Sequence, residues 1–233
     1  MNRILIVAAH PDDEVLGCGG TIARFISEKS VEVATLILGE GVTSRDKNRD
    51  RDSRKKEIES LKKNIIDANK VLGIDKVFSF NFPDNRFDSV ALIDIIKVIE
   101  EIKQSFLPDT IFTHFANDMN IDHAITNKAV LTATRPMSDE PVKEIYAFEI
   151  LSSTEWNFPL SFSPDMFVDI GNNIKKKQEA MGVYSNELRQ FPHPRSIEGI
   201  ELNAKTWGIK FGFLYCEAFQ TIRRVIKDSD VLV

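Results

Sequence analysis

Short apolar runs alternate with amphipathic segments over the first two-thirds of the chain. The runs have the length and β-branched content of buried strands, and they lie at residues 3–8, 31–38, 76–80, 110–114 and 144–150. The segments between them carry apolar residues at helical spacing, and they lie at residues 14–28, 51–72, 89–105 and 122–134. This alternation predicts an α/β fold with a doubly wound, mostly parallel sheet flanked by helices.

The alternation weakens after residue 152. Residues 153–165 are predicted to form a loop because Pro159 and Pro164 interrupt any regular element. The remaining predicted elements are a helix at 170–181, a rigid connector at 191–196, a helix capped by Ser196 that runs to about 207, and a strand at 211–219. We expect a single domain over residues 1–233, with a core at about 1–150 and an α+β extension at about 151–233.

Composition excludes several classes of protein. The net charge is −5, and the densest basic run, residues 45–63, also carries many acids, so we expect no nucleic-acid binding. Two cysteines, Cys18 and Cys216, fit buried apolar residues in a reducing compartment. Because the sequence has neither a signal-peptide pattern nor an apolar run long enough to span a membrane, we expect a soluble cytoplasmic protein.

Charge is concentrated at the end of the first predicted strand. His10, Asp12, Asp13 and Glu14 directly follow the apolar run, and open α/β sheets bind ligands at the carboxyl ends of their strands. Burying this much charge is costly unless a cation compensates it, so the segment indicates a divalent metal site. The alternative is that these acids only cap the N-terminus of the helix that follows.

A second polar segment, residues 118–123, follows the fourth predicted strand and contains His123, one of four histidines. The carboxyl ends of neighbouring parallel strands meet at one edge of the sheet. Two imidazoles and one carboxylate, from His10, Asp13 and His123, suit zinc and leave a fourth position for water. A lone histidine is more often an ordinary surface or core residue, but the two segments together favour a metal site.

These motifs resemble the LmbE-like, PIG-L family of zinc-dependent N-acetylsugar deacetylases. Its first signature, His-Pro-Asp-Asp-Glu, is matched by residues 10–14, and its second, an Asp-x-x-x-Asp-His segment before a helix, by residues 118–123. Gly17, Gly19 and Gly20 also fit, and residues 152–156 and 192–196 resemble a subgroup associated with sugar and cell-surface polysaccharide metabolism. The resemblance implies a Rossmann-like fold whose C-terminal extension completes the site, and removal of acetyl from an N-acetylglucosaminyl-type compound.

The resemblance also implies roles for individual residues. His10, Asp13 and His123 would hold Zn²⁺, and Asp12 would be the general base that activates the zinc-bound water. A site with these ligands also accepts other divalent transition metals, such as iron or cobalt. Asp122 would orient His123 through a hydrogen bond, and Glu14 would support the ligands or cap the helix.

One position departs from the family's pattern. Many members carry a histidine three residues before the last ligand, where it stabilises the oxyanion, and this chain has Asn120 there. Asn120 can donate a neutral hydrogen bond, but it carries neither a transferable proton nor a positive charge. His193 could reach the site instead, and a His193→Ala variant should then lose kcat while keeping its zinc. The alternative is that His193 is only part of a surface turn.

Substrate contacts are expected from arginines near the second helix and from loops that follow strands. The candidates are Arg45, Arg54, Arg86, Trp156 and Arg195. Arg86 could instead be a solvated turn residue, and a single tryptophan more often packs against protein than stacks on a sugar. The expected partner is a small N-acetylated amino sugar, and a homo-oligomer is left open.

Other functions stay open on the residues alone. The same metal centre would serve a different metal-dependent amidase of the family, or a non-catalytic, metal-containing sugar-binding protein. Asp12 argues against the second, because a binding module needs no general base. A nucleotide-dependent enzyme is disfavoured, because residues 17–20 do not form the Gly-x-Gly-x-x-Gly fingerprint and acids occupy the turn where pyrophosphate would bind.

Overall fold

Seven strands form one mixed sheet in the part of the chain that the computed structural model describes, residues 2–28 and 31–226. The strands are β1 (Asn2–Ala8), β2 (Val31–Gly39), β3 (Lys76–Phe82), β4 (Thr110–His114), β5 (Glu144–Phe148), β6 (Met166–Asp169) and β7 (Cys216–Arg224). The helices are α1 (Asp13–Glu28), α2 (Lys55–Leu72), α3 (Leu92–Phe106), α4 (Ile121–Ala133), α5 (Ile174–Val183) and α6 (Ile197–Phe211). Within this described part, no helix is both long and apolar enough to cross a membrane.

The strand order is β3-β2-β1-β4-β5-β7-β6. The first five strands are parallel, and Ile4 of β1 pairs with both Val33 of β2 and Thr110 of β4. β7 runs antiparallel to its neighbours β5 and β6. The predicted α/β fold with a mostly parallel sheet is therefore confirmed, and residues beyond 151 add β6 and the antiparallel strand β7.

Side chains of β1 alternate between two apolar layers. Ile4 and Ile6 lie in the layer that also contains residues of α1, α2, α5 and α6. Leu5 and Val7 lie in the layer with residues of α3 and α4. Because a central parallel strand is covered on both faces, it is apolar at successive positions instead of alternating with polar ones. Both layers hold the end of β1, and the charged turn after it, in a fixed place.

The C-terminal elements differ from the prediction. The expected strand at 211–219 is wrong in its first half, because α6 continues to Phe211 and Gly212 ends it with a φ of 77°. The N–H of Phe213 then bonds the carbonyl of Gly208 at 3.0 Å. The prediction failed because the apolar residues of 211–219 have the composition of a strand, whereas a glycine at positive φ marks the end of a helix. β6 was not predicted, since four residues give no periodicity to detect, and the helix expected from 170 begins at Ile174.

Candidate active site

The turn between β1 and α1 holds Asp12 in a backbone conformation that is rare for a residue with a side chain. Its φ is 95°, so surrounding contacts must keep it there. Its N–H donates to Glu14 Oε2 at 3.0 Å, and its carbonyl accepts from the N–H of Leu16 at 2.9 Å as α1 begins. The turn thereby places both Asp12 and Asp13 in the wall of one cleft.

Three side chains at this edge of the sheet offer ligand atoms for one metal ion. His10, Asp13 and His123 each present such an atom, and the three atoms lie within 4.8 Å of one another. His10 Nδ1 and His123 Nε2 each lie 3.4 Å from Asp13 Oδ2. These are the three ligands predicted from the sequence. They meet because β1 and β4 are neighbours, so that the turn after β1 lies beside the start of α4.

A carboxylate holds the far nitrogen of each imidazole. Asp122 Oδ2 lies 2.9 Å from His10 Nε2, and Asp118 Oδ1 lies 3.0 Å from His123 Nδ1. The expected pairing of Asp122 with His123 is therefore not the one formed. Asp122 lies in the first turn of α4, one residue before His123, and its side chain turns towards His10. It also accepts the N–H of Phe87 at 2.9 Å.

The cluster has the electrostatic character of a cation site. Burial opposes the charged form of His10, but its hydrogen bonds to the carboxylates of Asp122 and Asp13 hold its pKa well above the usual value. Burial likewise opposes ionisation of Asp13, but His123 and other imidazoles hold its pKa well below the usual range. Histidines whose far nitrogen is bound by a carboxylate are typical of metal sites, and metal binding displaces their protons. The residues present thus fit a divalent ion, and two imidazoles with one carboxylate suit zinc.

Asp12 faces a cation from the C-terminal extension. Arg195 Nη1 lies 3.1 Å from Asp12 Oδ2, and both residues line the cleft. Burial raises the pKa of Asp12 to about 8, and the guanidinium of Arg195 opposes that rise. Within the described residues, the buried Nε of Arg195 has no hydrogen-bond partner. The site therefore combines a buried carboxyl group with an arginine of the C-terminal extension.

Glu14 supports this turn from inside the protein. It is fully buried, its Oε1 accepts the hydroxyl of Tyr184 at 2.6 Å and the amide of Asn69 at 3.1 Å, and its Oε2 accepts the N–H of Asp12. Burial raises the pKa of Glu14 to about 7, against the hydrogen bond from Tyr184. Glu14 thus holds the turn in shape from behind and ties it to α2 and to the residue after α5.

Asn120 lies in the cleft wall, but both ends of its amide are engaged. Its Oδ1 accepts the N–H of Asp122 at 2.9 Å and so caps α4, while its Nδ2 donates to Asn85 Oδ1 at 2.9 Å. The Nδ2 group carries a second hydrogen, which these two contacts do not use. Asn120 therefore has a structural role that would exist without any catalytic one.

The structure places His193 next to the site instead of in it. The described residues that line the cleft do not include His193 or Trp156. His193 Nδ1 accepts the N–H of Arg195 at 3.1 Å, and its ring meets Trp156 edge-on with centroids 5.7 Å apart. The contact to the backbone of Arg195 gives His193 an indirect route to the site.

The other predicted substrate contacts divide into two groups. Arg45 lines the cleft, where its Nη2 lies 2.5 Å from Glu187 Oε1. Arg54 and Arg86 are not among the described residues of that wall. Arg54 is held by Asp46 at 2.7 Å, and Arg86 donates to a backbone carbonyl at 3.3 Å. Their roles as substrate contacts stay predictions.

Sequence reasoning missed the parts played by three residues around the cluster. His114, at the end of β4, is fully buried, stacks on His123 with ring centroids 4.0 Å apart and accepts the N–H of Ala9 at 2.8 Å. Asp84 Oδ1 lies 3.5 Å from His10 Nε2. Asp118 accepts hydroxyl hydrogen bonds from the segment after β5. His114, Asp84 and Asp118 all follow or end strands, and that position was the signal available in the sequence.

The fold and this cluster define a class of protein. It is an α/β protein with a cleft at the carboxyl edge of its sheet, lined by a His/Asp/His group that could hold a metal ion. Residues 5–134 match the family model described as PIG-L, GlcNAc-PI de-N-acetylase. The chain belongs to this family.

Two relatives that match most of the chain are named as deacetylases. The chain is 28% identical to the uncharacterized deacetylase YaiS of Escherichia coli K12, over 72% of this chain and 81% of that protein. It is 26% identical to a protein of Bacillus cereus described as a probable N-acetyl-alpha-D-glucosaminyl L-malate deacetylase 2, over 79% and 83%. These matches extend the similarity well beyond the two signatures.

Solved structures show the same fold at lower identity. The N,N'-diacetylchitobiose deacetylase of Pyrococcus horikoshii superposes with a TM-score of 0.75 at 19% identity, covering 95% of this chain and 84% of that one. A 4-carboxy-2-hydroxymuconate hydratase of Pseudomonas putida superposes with a TM-score of 0.74 at 19% identity, covering 99% and 100%. Since one fold carries both reactions, the reaction must be argued from the site.

Proposed function

We propose that this protein is a metal-dependent hydrolase that removes the acetyl group from a small N-acetylated amino sugar. The observation that carries the proposal is the cluster of His10, Asp13 and His123, with a carboxylate on each imidazole and Asp12 beside it. The family and the names of the relatives support it. The Bacillus cereus protein and the Pyrococcus horikoshii structure are both named for compounds that carry an acetamido group on a glucosamine ring.

His10, Asp13 and His123 would hold the ion, and their donor set favours Zn²⁺, with iron or cobalt as alternatives. When bound, such an ion lowers the pKa of water and polarises an amide carbonyl. Asp118 and Asp122 keep the two imidazole rings in the orientation and tautomer that binding requires.

Asp12 is the proposed general base and acid. Hydrolysis joins a water oxygen to the carbonyl carbon and breaks the carbon–nitrogen bond, giving acetate and the free amino sugar. A proton leaves the water in the first step, and a proton must reach the nitrogen before the amine departs. Arg195 holds Asp12 Oδ2, and no described residue hydrogen-bonds Oδ1, so Oδ1 can take the first proton and return it to the nitrogen.

Arg195 is the proposed partner of the substrate carbonyl oxygen as negative charge develops on it. Its guanidinium is fixed by Asp12 and lines the cleft, and a positioned cation stabilises an oxyanion more than it stabilises a neutral amide. Asn120 would add a neutral hydrogen bond. His193 would act through the backbone of Arg195, and Arg45 would contact the sugar.

The test is acetate release from N-acetylglucosaminyl compounds by zinc-loaded protein, followed by NMR. An Asp12→Asn variant is the sharpest control, because asparagine tolerates positive φ and keeps the shape of the side chain. We expect release by the wild type and a loss of several orders of magnitude in the variant at unchanged zinc content. Release that persists in the variant would contradict the assigned base, and no release from any compound would contradict the proposed function.

A further inference from the structure

A groove lies beside the catalytic cleft, between the first half of α2 and the residues that follow α5. It shares Val42, Arg45, Leu61 and Glu187 with the cleft, so the two cavities have a common wall. A ligand with its acetamido group at the metal cluster would reach the groove over the Arg45–Glu187 ion pair, which lies at the boundary of the two cavities.

The groove has an apolar floor and a polar side. Val42, Leu61 and Tyr184 are buried beneath it. Lys56, Ser60 and Asn64 line it from α2, four residues apart, so they form one row along the helix.

The side chains of this polar row have no hydrogen-bond partner in the described part of the chain. Among the described residues, no side chain or backbone group is hydrogen-bonded to the side chains of Lys56, Ser60 or Asn64. A row of free donors and acceptors over an apolar floor is the arrangement that a sugar ring needs. Such a ring has hydroxyl groups around its edge and carbon–hydrogen bonds on its faces, and binding sites of this kind place a few polar groups on an apolar lining.

The charges of the groove are balanced. Arg45 is paired with Glu187 at 2.5 Å and lies 3.9 Å from Glu57, which leaves Lys56 as the one lining cation without a partner in the described part of the chain. A phosphate or diphosphate group is recognised by several unpaired donors, above all by arginine. The groove therefore favours a neutral, hydroxyl-rich group over a charged one.

We propose that this groove is the subsite for a second, uncharged sugar ring, so that the substrate is an N-acetylated amino sugar joined to another sugar. The assignment rests on the proposed deacetylase function and adds the substrate class. Contacts to the second ring would help to position the reacting acetamido group and would lower the free energy of its transition state. A disaccharide should therefore react faster than the free monosaccharide.

The experiment compares kcat/KM for acetate release from N-acetylglucosamine, UDP-N-acetylglucosamine and a panel of N-acetylglucosaminyl disaccharides of different linkage. Each is measured with wild type, with Ser60→Trp, which fills the groove, and with Glu59→Trp, a control at an exposed neighbour outside the groove. Titration calorimetry of the best disaccharide with the same proteins measures its affinity independently of turnover.

We expect at least one disaccharide to exceed the monosaccharide by about tenfold or more, as is usual for one added group in a pocket. Ser60→Trp should remove that advantage and weaken disaccharide binding while leaving the monosaccharide rate unchanged, and Glu59→Trp should behave as wild type. The subsite is overturned if no disaccharide exceeds the monosaccharide, if the nucleotide sugar is preferred, or if Ser60→Trp slows both substrates equally. If no compound releases acetate, the proposed function fails and the subsite falls with it.

Discussion

Arg195 Nη1 lies 3.1 Å from Asp12 Oδ2, although the two residues are 183 positions apart in the sequence. The contact joins the C-terminal extension to the turn after the first strand. It gives a buried carboxylate a counter-charge, and it engages only one of the two carboxylate oxygens. The extension therefore contributes a side chain to the cleft, and under the proposed function Asp12 Oδ1 is the oxygen left for proton transfer.

Replacing Arg195 tests this contact. Arg195→Met keeps the length and apolar stem of the side chain but removes its charge and donors, and we expect kcat to fall by about a hundredfold, the usual cost of losing one oxyanion donor. Zinc content should be unchanged, because Arg195 is not a ligand. Steady-state kinetics and metal analysis check this. The control is Arg189→Met, since Arg189 donates to backbone carbonyls at the surface. Equal kcat in the two variants would exclude a role for Arg195.

The carboxylates behind the imidazoles should set metal affinity. Asp118→Asn and Asp122→Asn keep the side-chain shape but lose the negative charge that fixes His123 and His10. We expect each to weaken Zn²⁺ binding roughly 10- to 100-fold, measured by competition with a chelating dye. Asp88→Asn, at an exposed position, should bind as wild type does. An unaltered Kd in both test variants would mean that the carboxylates do not support the ligands.

A buried ion pair joins α5 to β7 beneath the site. Lys177 Nζ lies 2.5 Å from Glu217 Oε1, both residues are 5% exposed, and Glu217 also accepts two backbone N–H groups of α1. Lys177→Met leaves a buried carboxylate without its counter-charge, so the free energy of unfolding should fall by about 3–5 kcal/mol. In contrast, Lys97→Met removes an exposed pair and should cost at most about 1 kcal/mol. Urea unfolding measures both, and similar losses would argue against the buried pair as a stabilising contact.

The glycine that follows the first signature is required by packing. A Cβ on Gly17 would lie 2.4 Å from the ring of Phe148, whereas a Cβ on Gly182 meets nothing within 4 Å. Gly17→Ala should therefore cost about 1–3 kcal/mol through overpacking. Gly182→Ala in α5 should be neutral or stabilising by about 0.5–1 kcal/mol, since alanine is the better helix former. Thermal unfolding of the two variants compares them directly, and a stable Gly17→Ala protein would show that Phe148 can move.

Residues 10–14 could be interpreted from the sequence because they are contiguous and follow an obvious strand. Asp122 could not be assigned its partner in this way. It precedes His123 by one residue, yet its side chain binds His10, because the direction of a side chain at the start of α4 depends on how the helix meets the sheet. Arg195 and Arg45 were two of five substrate candidates, and only the packed structure shows that these two line the cleft.

The sequence by itself determined the α/β alternation, the likeness to a deacetylase family and the three ligand candidates. Each of these depends on local periodicity or on a short motif, which neighbouring residues encode. Tertiary structure decided which carboxylate supports which histidine, how Arg195 meets Asp12, and that a neutral groove adjoins the cleft. Those relationships join residues from different strands, helices and loops, so they are set by the packing of elements on the sheet and not by any one segment.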